Sequence, residues 1–162
     1  MMKKNILALV LAFALSTLLL CACSKEKVDY SNVNLDVTTV KSDILKTDDF
    51  PEMIDATPDN ISLMYDLDAT KFEGYSVIYA GSGGYADEIA IIKLKSSDEV
   101  TKVTKVMKDR VTSRANVFKG YAPLEFEKLN KAVVEAKGDY VFLAVCDNPK
   151  KAEKVFDDAF KK

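Results

Sequence analysis

The chain of 162 residues contains no histidine. That absence removes the serine–histidine and cysteine–histidine pairs that activate most nucleophilic hydrolases, and it removes the commonest transition-metal ligand. No G-x-S-x-G elbow occurs, so the strand-to-helix nucleophile turn of the α/β hydrolases is missing as well. No glycine loop ends in Gly-Lys-Ser/Thr, which would place a lysine and a hydroxyl on a nucleotide phosphate. Cysteine is scarce, at three in total, and no acidic residue precedes Glu26. Lys and Arg number 23 against 25 Asp and Glu, a net charge of −2. Phosphate backbones are bound by clustered basic residues, whereas the lysines here are interleaved with Asp and Glu. That pattern marks a solvated face and argues against a nucleic-acid partner.

The N-terminus carries the first positive signal. Lys3 and Lys4 precede an almost wholly apolar run over residues 6–20, the charged and hydrophobic regions of a secretory signal. A membrane span needs about 20 apolar residues, and this run is shorter and interrupted by Ser16 and Thr17. Leu20-Cys21-Ala22-Cys23-Ser24 follows and resembles the lipobox of bacterial lipoproteins. The resemblance implies cleavage between Ala22 and Cys23 and lipid on the Cys23 thiol. Cys21 does not qualify, because Leu20 stands in the position that must be small. Two acyl chains on one residue, palmitate among them, would anchor stably where a single chain holds only marginally. The expected organisation is a signal peptide over residues 1–22, a lipidated cysteine and tether over 23–34, and a single α+β domain over 35–162. An ordinary secretory signal and an uncleaved anchor helix remain the alternatives. Processing removes Lys3, Lys4 and Cys21, which leaves 21 basic against 25 acidic residues and Cys146 as the one thiol. No intramolecular disulfide is then available. Cys146 ends an apolar run and reads as a small packed hydrophobe.

Periodicity organises the rest. Leu35, Val37, Val40, Ile44 and Leu45 recur at helical spacing until Asp48, Asp49 and Pro51. The next stretch is ambiguous, since Thr57-Pro58 reads as a helix start while Ile61, Leu63, Tyr65 and Leu67 alternate as in a strand. The short helix is favoured. An EF-hand at Asp66-Leu67-Asp68 fails, because Lys71 and Val77 occupy the positions that need Gly and Glu. Strands are predicted over residues 75–80 and 87–95, joined by Gly81-Ser82-Gly83-Gly84. Ser97 and Asp98 cap a long helix with the stripe Val100, Val103, Met107, Val111, Arg114 and Phe118. A short helix at Leu124, Phe126 and Leu129 precedes a second hairpin over 132–137 and 140–146, around Gly138-Asp139. A final helix follows Pro149, with Ala152, Val155, Phe156, Ala159 and Phe160 on one face. These elements predict an α+β fold: a four-stranded antiparallel sheet of two hairpins, helices packed on one face, and an N-terminal helix.

Several separated segments carry a family likeness: residues 80–91 (AGSGGYADEIAI), Arg110, Tyr121-Ala122-Pro123 and residues 137–143 (KGDYVFL). In this order they resemble the uncharacterised bacterial lipoproteins grouped as domain of unknown function 4358, over about Leu35 to the C-terminus. The resemblance implies a small extracytoplasmic lipoprotein and supplies no activity. Arg114 stands where it implies a glutamine.

Two sets of residues are candidates for a site. Gly81, Ser82, Gly83, Gly84 and Tyr85 form a loop whose backbone N–H groups would be free to cradle an anion or a partner's chain. The blander and favoured account is a hairpin turn that needs positive φ. Glu88 lies in phase with Ala90, Ile92 and Leu94, on an apolar strand face, where a carboxylate needs a partner. Arg110 and Arg114 would supply it, as a structural ion pair or, less favoured, as a grip on a ligand. No catalytic residue, metal ligand or cofactor is assigned. The leading expectation is a membrane-anchored binding or envelope-assembly module for a protein, peptide or glycan partner. The alternative is an envelope hydrolase working through carboxylates, although Asp87 and Glu88 are adjacent on a strand and would point to opposite faces.

Overall fold

A computed structural model describes Tyr30 and residues 33–161. The expected signal peptide, Ala22 and Cys23 lie outside the described residues. Asp36 accepts hydrogen bonds from the Thr38 and Thr39 amides and so starts helix α1, Val37–Ile44. Strand β1, Met53–Asp55, follows Pro51. Thr57 and Asn60 then form a reciprocal capping box with Pro58 in the first turn, and the ambiguous stretch becomes helix α2, Pro58–Tyr65. Burial explains the choice: Ile61 and Tyr65 are buried one turn apart, while Leu63 is 86% exposed. A turn at Ala69–Lys71 enters β2, Phe72–Ala80. This strand begins ahead of Tyr75 because a register shift between Phe72 and Gly74 interrupts the alternation.

The remaining elements are β3, Glu88–Leu94; α3, Val100–Phe118; α4, Pro123–Asn130; β4, Val133–Lys137; β5, Tyr140–Val145; and α5, Pro149–Ala159. The sheet has five strands in the order β1-β2-β3-β5-β4, all antiparallel. The expected four strands are therefore corrected to five. At three residues, β1 is too short to display a two-residue period.

A second correction concerns the helices, which cover both faces of the sheet. On one side Ala90, Ile92, Leu94, Val141, Leu143 and Val145 pack against α2, α3 and α4 through Ile61, Tyr65, Val103, Met107, Phe118 and Leu129. On the other side Ile89, Ile91, Phe142, Ala144 and Cys146 pack against α1 and α5 through Val40, Ile44, Ala152 and Phe156. The cause is visible in β3 and β5, which are apolar in both phases of the alternation, as strands buried on both faces are.

The α1/α5 side is built of rings. Phe142 and Phe156 stack at 4.6 Å between centroids, and Phe160 meets Phe156 and Tyr140 edge-on at 5.0 and 5.4 Å. Tyr30, placed in the tether by sequence, meets Phe160 edge-on at 5.0 Å. The Tyr140 hydroxyl accepts from the Leu35 amide at 2.8 Å and donates to the Val33 carbonyl at 3.4 Å. Gly138 has φ of 54° in the β4–β5 turn, and a Cβ there would stand 2.9 Å from Tyr30 Cβ. The strands thus have two distinct ends. Leu94, the Gly138-Asp139 turn and Tyr30 lie at one end, and Glu88, Val145 and the loop 81–85 lie at the other. No helix among the described residues is long and apolar enough to cross a membrane.

Candidate functional site

The loop joining β2 to β3 is fastened at its first residue and closes on itself, the Gly84 amide donating to Ser82 Oγ at 3.3 Å and the Tyr85 amide to the Ser82 carbonyl at 3.2 Å, so the expected cradle of free N–H groups is not formed by these two. The Gly81 amide donates to the Glu52 carbonyl at 2.9 Å, and a Cβ on Gly81 would lie 2.9 Å from Ile54 Cδ1. A side chain at 81 would displace the tip of Ile54, which is free to turn outward. Gly83 and Gly84 are different. Nothing lies within 4 Å of a Cβ built on Gly83, and only Ser82 Oγ, at 3.6 Å, approaches one on Gly84. Neither has a left-handed φ; among the described glycines only Gly138 does. The expectation of a turn that needs positive φ is overturned, and the fold makes no local demand for glycine at 83 and 84. Ile54 and Tyr85 flank the loop at 42% and 46% exposure. With Pro51, Glu52, Gly81 and Ser82 they line a cavity of about 360 Å³.

Beneath the loop the segment Tyr85-Ala86-Asp87-Glu88 is held by charge. Arg114 Nη1 donates to the Ala86 carbonyl and to Glu88 Oε2, both at 2.9 Å, and Nη2 donates to the Tyr85 carbonyl at 3.2 Å. Arg110 grips the same carboxylate with two prongs, Nε to Oε1 and Nη2 to Oε2, each 2.7 Å, and donates to the Met64 carbonyl at 3.2 Å. The Tyr65 hydroxyl donates to Glu88 Oε1. Glu88 itself is fully buried. Burial, with the Glu88 charge beside it, holds the Tyr65 hydroxyl well above its ordinary pKa, so the phenol keeps its proton and remains the donor. Burial works against the Arg110 charge, yet its bonds to Glu88 outweigh this and leave the guanidinium above its ordinary value. The guanidinium of Arg110 lies 5.0 Å over the Tyr65 ring and that of Arg114 5.5 Å over Phe118, which stacks on the exposed Tyr121 at 5.2 Å.

A second charged group secures the same segment from α4. Glu125 Oε2 accepts from the Ala86 amide at 2.7 Å. Lys128 Nζ stands 2.9 Å from Asp87, 3.3 Å from Glu125 and 3.9 Å from Asp147, and 5.9 Å over the Tyr85 ring. Burial pushes the Asp87 carboxyl up against the opposing pull of Lys128. Burial alone would lower the Lys128 pKa, but its carboxylate partners raise it on balance, so it stays an ammonium and not a nucleophile. No group of three or more His, Cys, Asp or Glu among the described residues is arranged to hold a metal ion. The structure thus brings Glu88 together with Arg110 and Arg114, as sequence reasoning predicts. It adds Tyr65, Glu125 and Lys128, for which the sequence carries no distinct signal. It sets Asp87 on its own cation, apart from Glu88. Cys146 is buried, and burial together with the nearby Asp48 carboxylate pushes its thiol up to about 12.

Fold and site together define an α+β domain with an antiparallel sheet covered on both faces, in which buried ion pairs brace an exposed glycine loop. The chain belongs to the family described as Domain of unknown function (DUF4358), whose model matches residues 46–146. The match is narrower than the span from Leu35 to the C-terminus and omits α1 and α5. Neither a curated protein nor a solved structure matches the chain.

Proposed function

We propose that the chain is a lipoprotein anchored through Cys23 at the extracytoplasmic face of the cell membrane, and that its domain is a binding or envelope-assembly module without catalysis. One observation carries the reading: residues 85–88 are gripped from below by Arg114, Glu125, Lys128 and Arg110, while Gly83 above them meets no packing neighbour and Gly84 meets only Ser82 of the same loop. A loop braced this firmly, yet bare on its outer side, suits contact with a partner. It also stands at the far end of the strands from Tyr30, where the chain arrives from the proposed anchor. An envelope hydrolase working through carboxylates is less well supported, because both Glu88 oxygens are already engaged and Asp87 faces an ammonium.

The test is crosslinking in intact native cells, comparing the tagged native protein with a Gly83→Val/Gly84→Val variant of equal thermal stability. A specific partner captured by the first and lost from the second supports the module. Capture of no specific partner by either counts against it. For the anchor, Cys23→Ser should abolish incorporation of labelled palmitate and release the protein from the membrane fraction.

A further inference from the structure

We infer that the partner is a basic peptide segment in extended conformation, which adds to the sheet as a further strand along β1. This rests on the binding-module reading. Gly81 donates to the Glu52 carbonyl at 2.9 Å and Ala56 to the Val77 carbonyl at 2.8 Å, and Ile54 is opposite Tyr79. Bonded and non-bonded pairs alternate in an antiparallel ladder, so Glu52, Ile54 and Ala56 face β2. The N–H and C=O groups of Met53 and Asp55 point off the sheet. β1 is the terminal strand, and among the described residues no backbone hydrogen bond covers those groups.

Charge selects the occupant. Residues 47–70 contain seven acidic residues and no Lys or Arg. Asp49, Glu52 and Asp55, on β1 and in the segment that enters it, are exposed, and Asp55 takes one cation, Lys41, at 2.7 Å. An edge with charge of one sign repels a second copy of itself and draws a strand of opposite sign. Shape supplies the rest. Ile54 is opposite Tyr79, whose other neighbour is Glu88, so it lies on the sheet face that carries Glu88. There it lines the cavity with Gly81 and Tyr85. Side chains of an added strand alternate between faces, so an apolar residue of the peptide would enter this cavity, which Glu52 also lines, while its basic neighbours lie on the opposite face beside Asp55.

The experiment uses the full chain and synthetic peptides in which valine alternates with lysine, the same peptides with glutamate for lysine, and lysine peptides N-methylated along one edge. The lysine peptides should bind at least about tenfold more tightly than the glutamate ones, a difference of about 1.4 kcal/mol. They should also slow amide exchange at Met53 and Asp55. N-methylation on the pairing edge, or Met53→Pro, which removes an outward donor without touching the ladder, should abolish binding. Glu52→Lys with Asp55→Lys should reverse the charge preference, and it carries the test together with the N-methyl probe if Met53→Pro does not fold. Equal binding of both peptide sets, or full binding by folded Met53→Pro, overturns the inference. A cellular partner lost on substitution of Gly83 and Gly84 but retained by Met53→Pro overturns the strand while leaving the module standing. Capture of no partner in cells removes the module reading itself.

Discussion

Under α1 and α5 the sheet meets Phe142, Phe156 and Phe160 packed ring against ring; under α2, α3 and α4 it meets Glu88, Arg110 and Arg114 set within an apolar surround. Both sides are buried, yet the charges differ: Lys137, Glu135 and Asp157 on the aromatic side keep part of their surface in water, whereas Glu88 on the second side is fully buried. Desolvation makes such charges a poor source of net stability, since well-packed apolar groups of the same volume often do as well. What the ions supply is position, because they fix the carbonyls and amides of residues 85–88. The family match supports the same division. Its residues, 46–146, take in the whole charged side and leave out the two helices that close the aromatic side.

The comparison can be broken most directly at Glu88. Glu88→Gln leaves two guanidinium groups sharing a neutral amide, and should cost about 3–5 kcal/mol in urea unfolding, the usual penalty for a buried ion deprived of its partner. On the aromatic side a swap of similar polarity should be milder. Phe142→Leu should cost about 1–3 kcal/mol by the same measurement, because it removes volume and ring contact without orphaning a charge. Equal losses from the two substitutions would erase the distinction between the sides. Gly83→Ala and Gly84→Ala should each stabilise by no more than about 1 kcal/mol, since neither site is crowded or left-handed. A loss would show that the loop's glycines serve the fold.

The smallest effect is in the pH dependence. The Cys146 thiol, pushed up to about 12 by burial and the neighbouring Asp48 carboxylate, stays protonated in the fold. In the unfolded chain it ionises near 9. Unfolding therefore releases a proton across this window, and stability should fall as pH rises from about 9 towards 12. Cys146→Ala should flatten that decline, and in the native protein the thiol should resist alkylation until denaturant is added.

Apolar periodicity made the hairpins, the long helix and the final helix legible, and it placed Glu88 where an arginine partner was required. It could not reveal Tyr65, Glu125 or Lys128, because a side chain that crosses from another element leaves no period in the sequence. Lys128 and Asp87 are 41 residues apart, and each looks like an ordinary surface charge in its own window. The two-sided burial of β3 was available in Ile89 and Ile91, which stand between the residues assigned to the core. The phase that holds Glu88, by itself, points to one face only. The strand β1 was hidden by brevity, and Gly83 and Gly84 by their likeness to any hairpin turn.

The separation of the two sheet ends also has a mechanical side. Tyr30 and the Leu35–Tyr140 hydrogen bond fasten the incoming chain at one end, and the loop 81–85 sits at the other. Tension applied between them runs along β2, β3 and β5, nearly perpendicular to the hydrogen bonds that join these strands. The ladders would then be loaded in shear, many bonds together, instead of being unzipped one at a time.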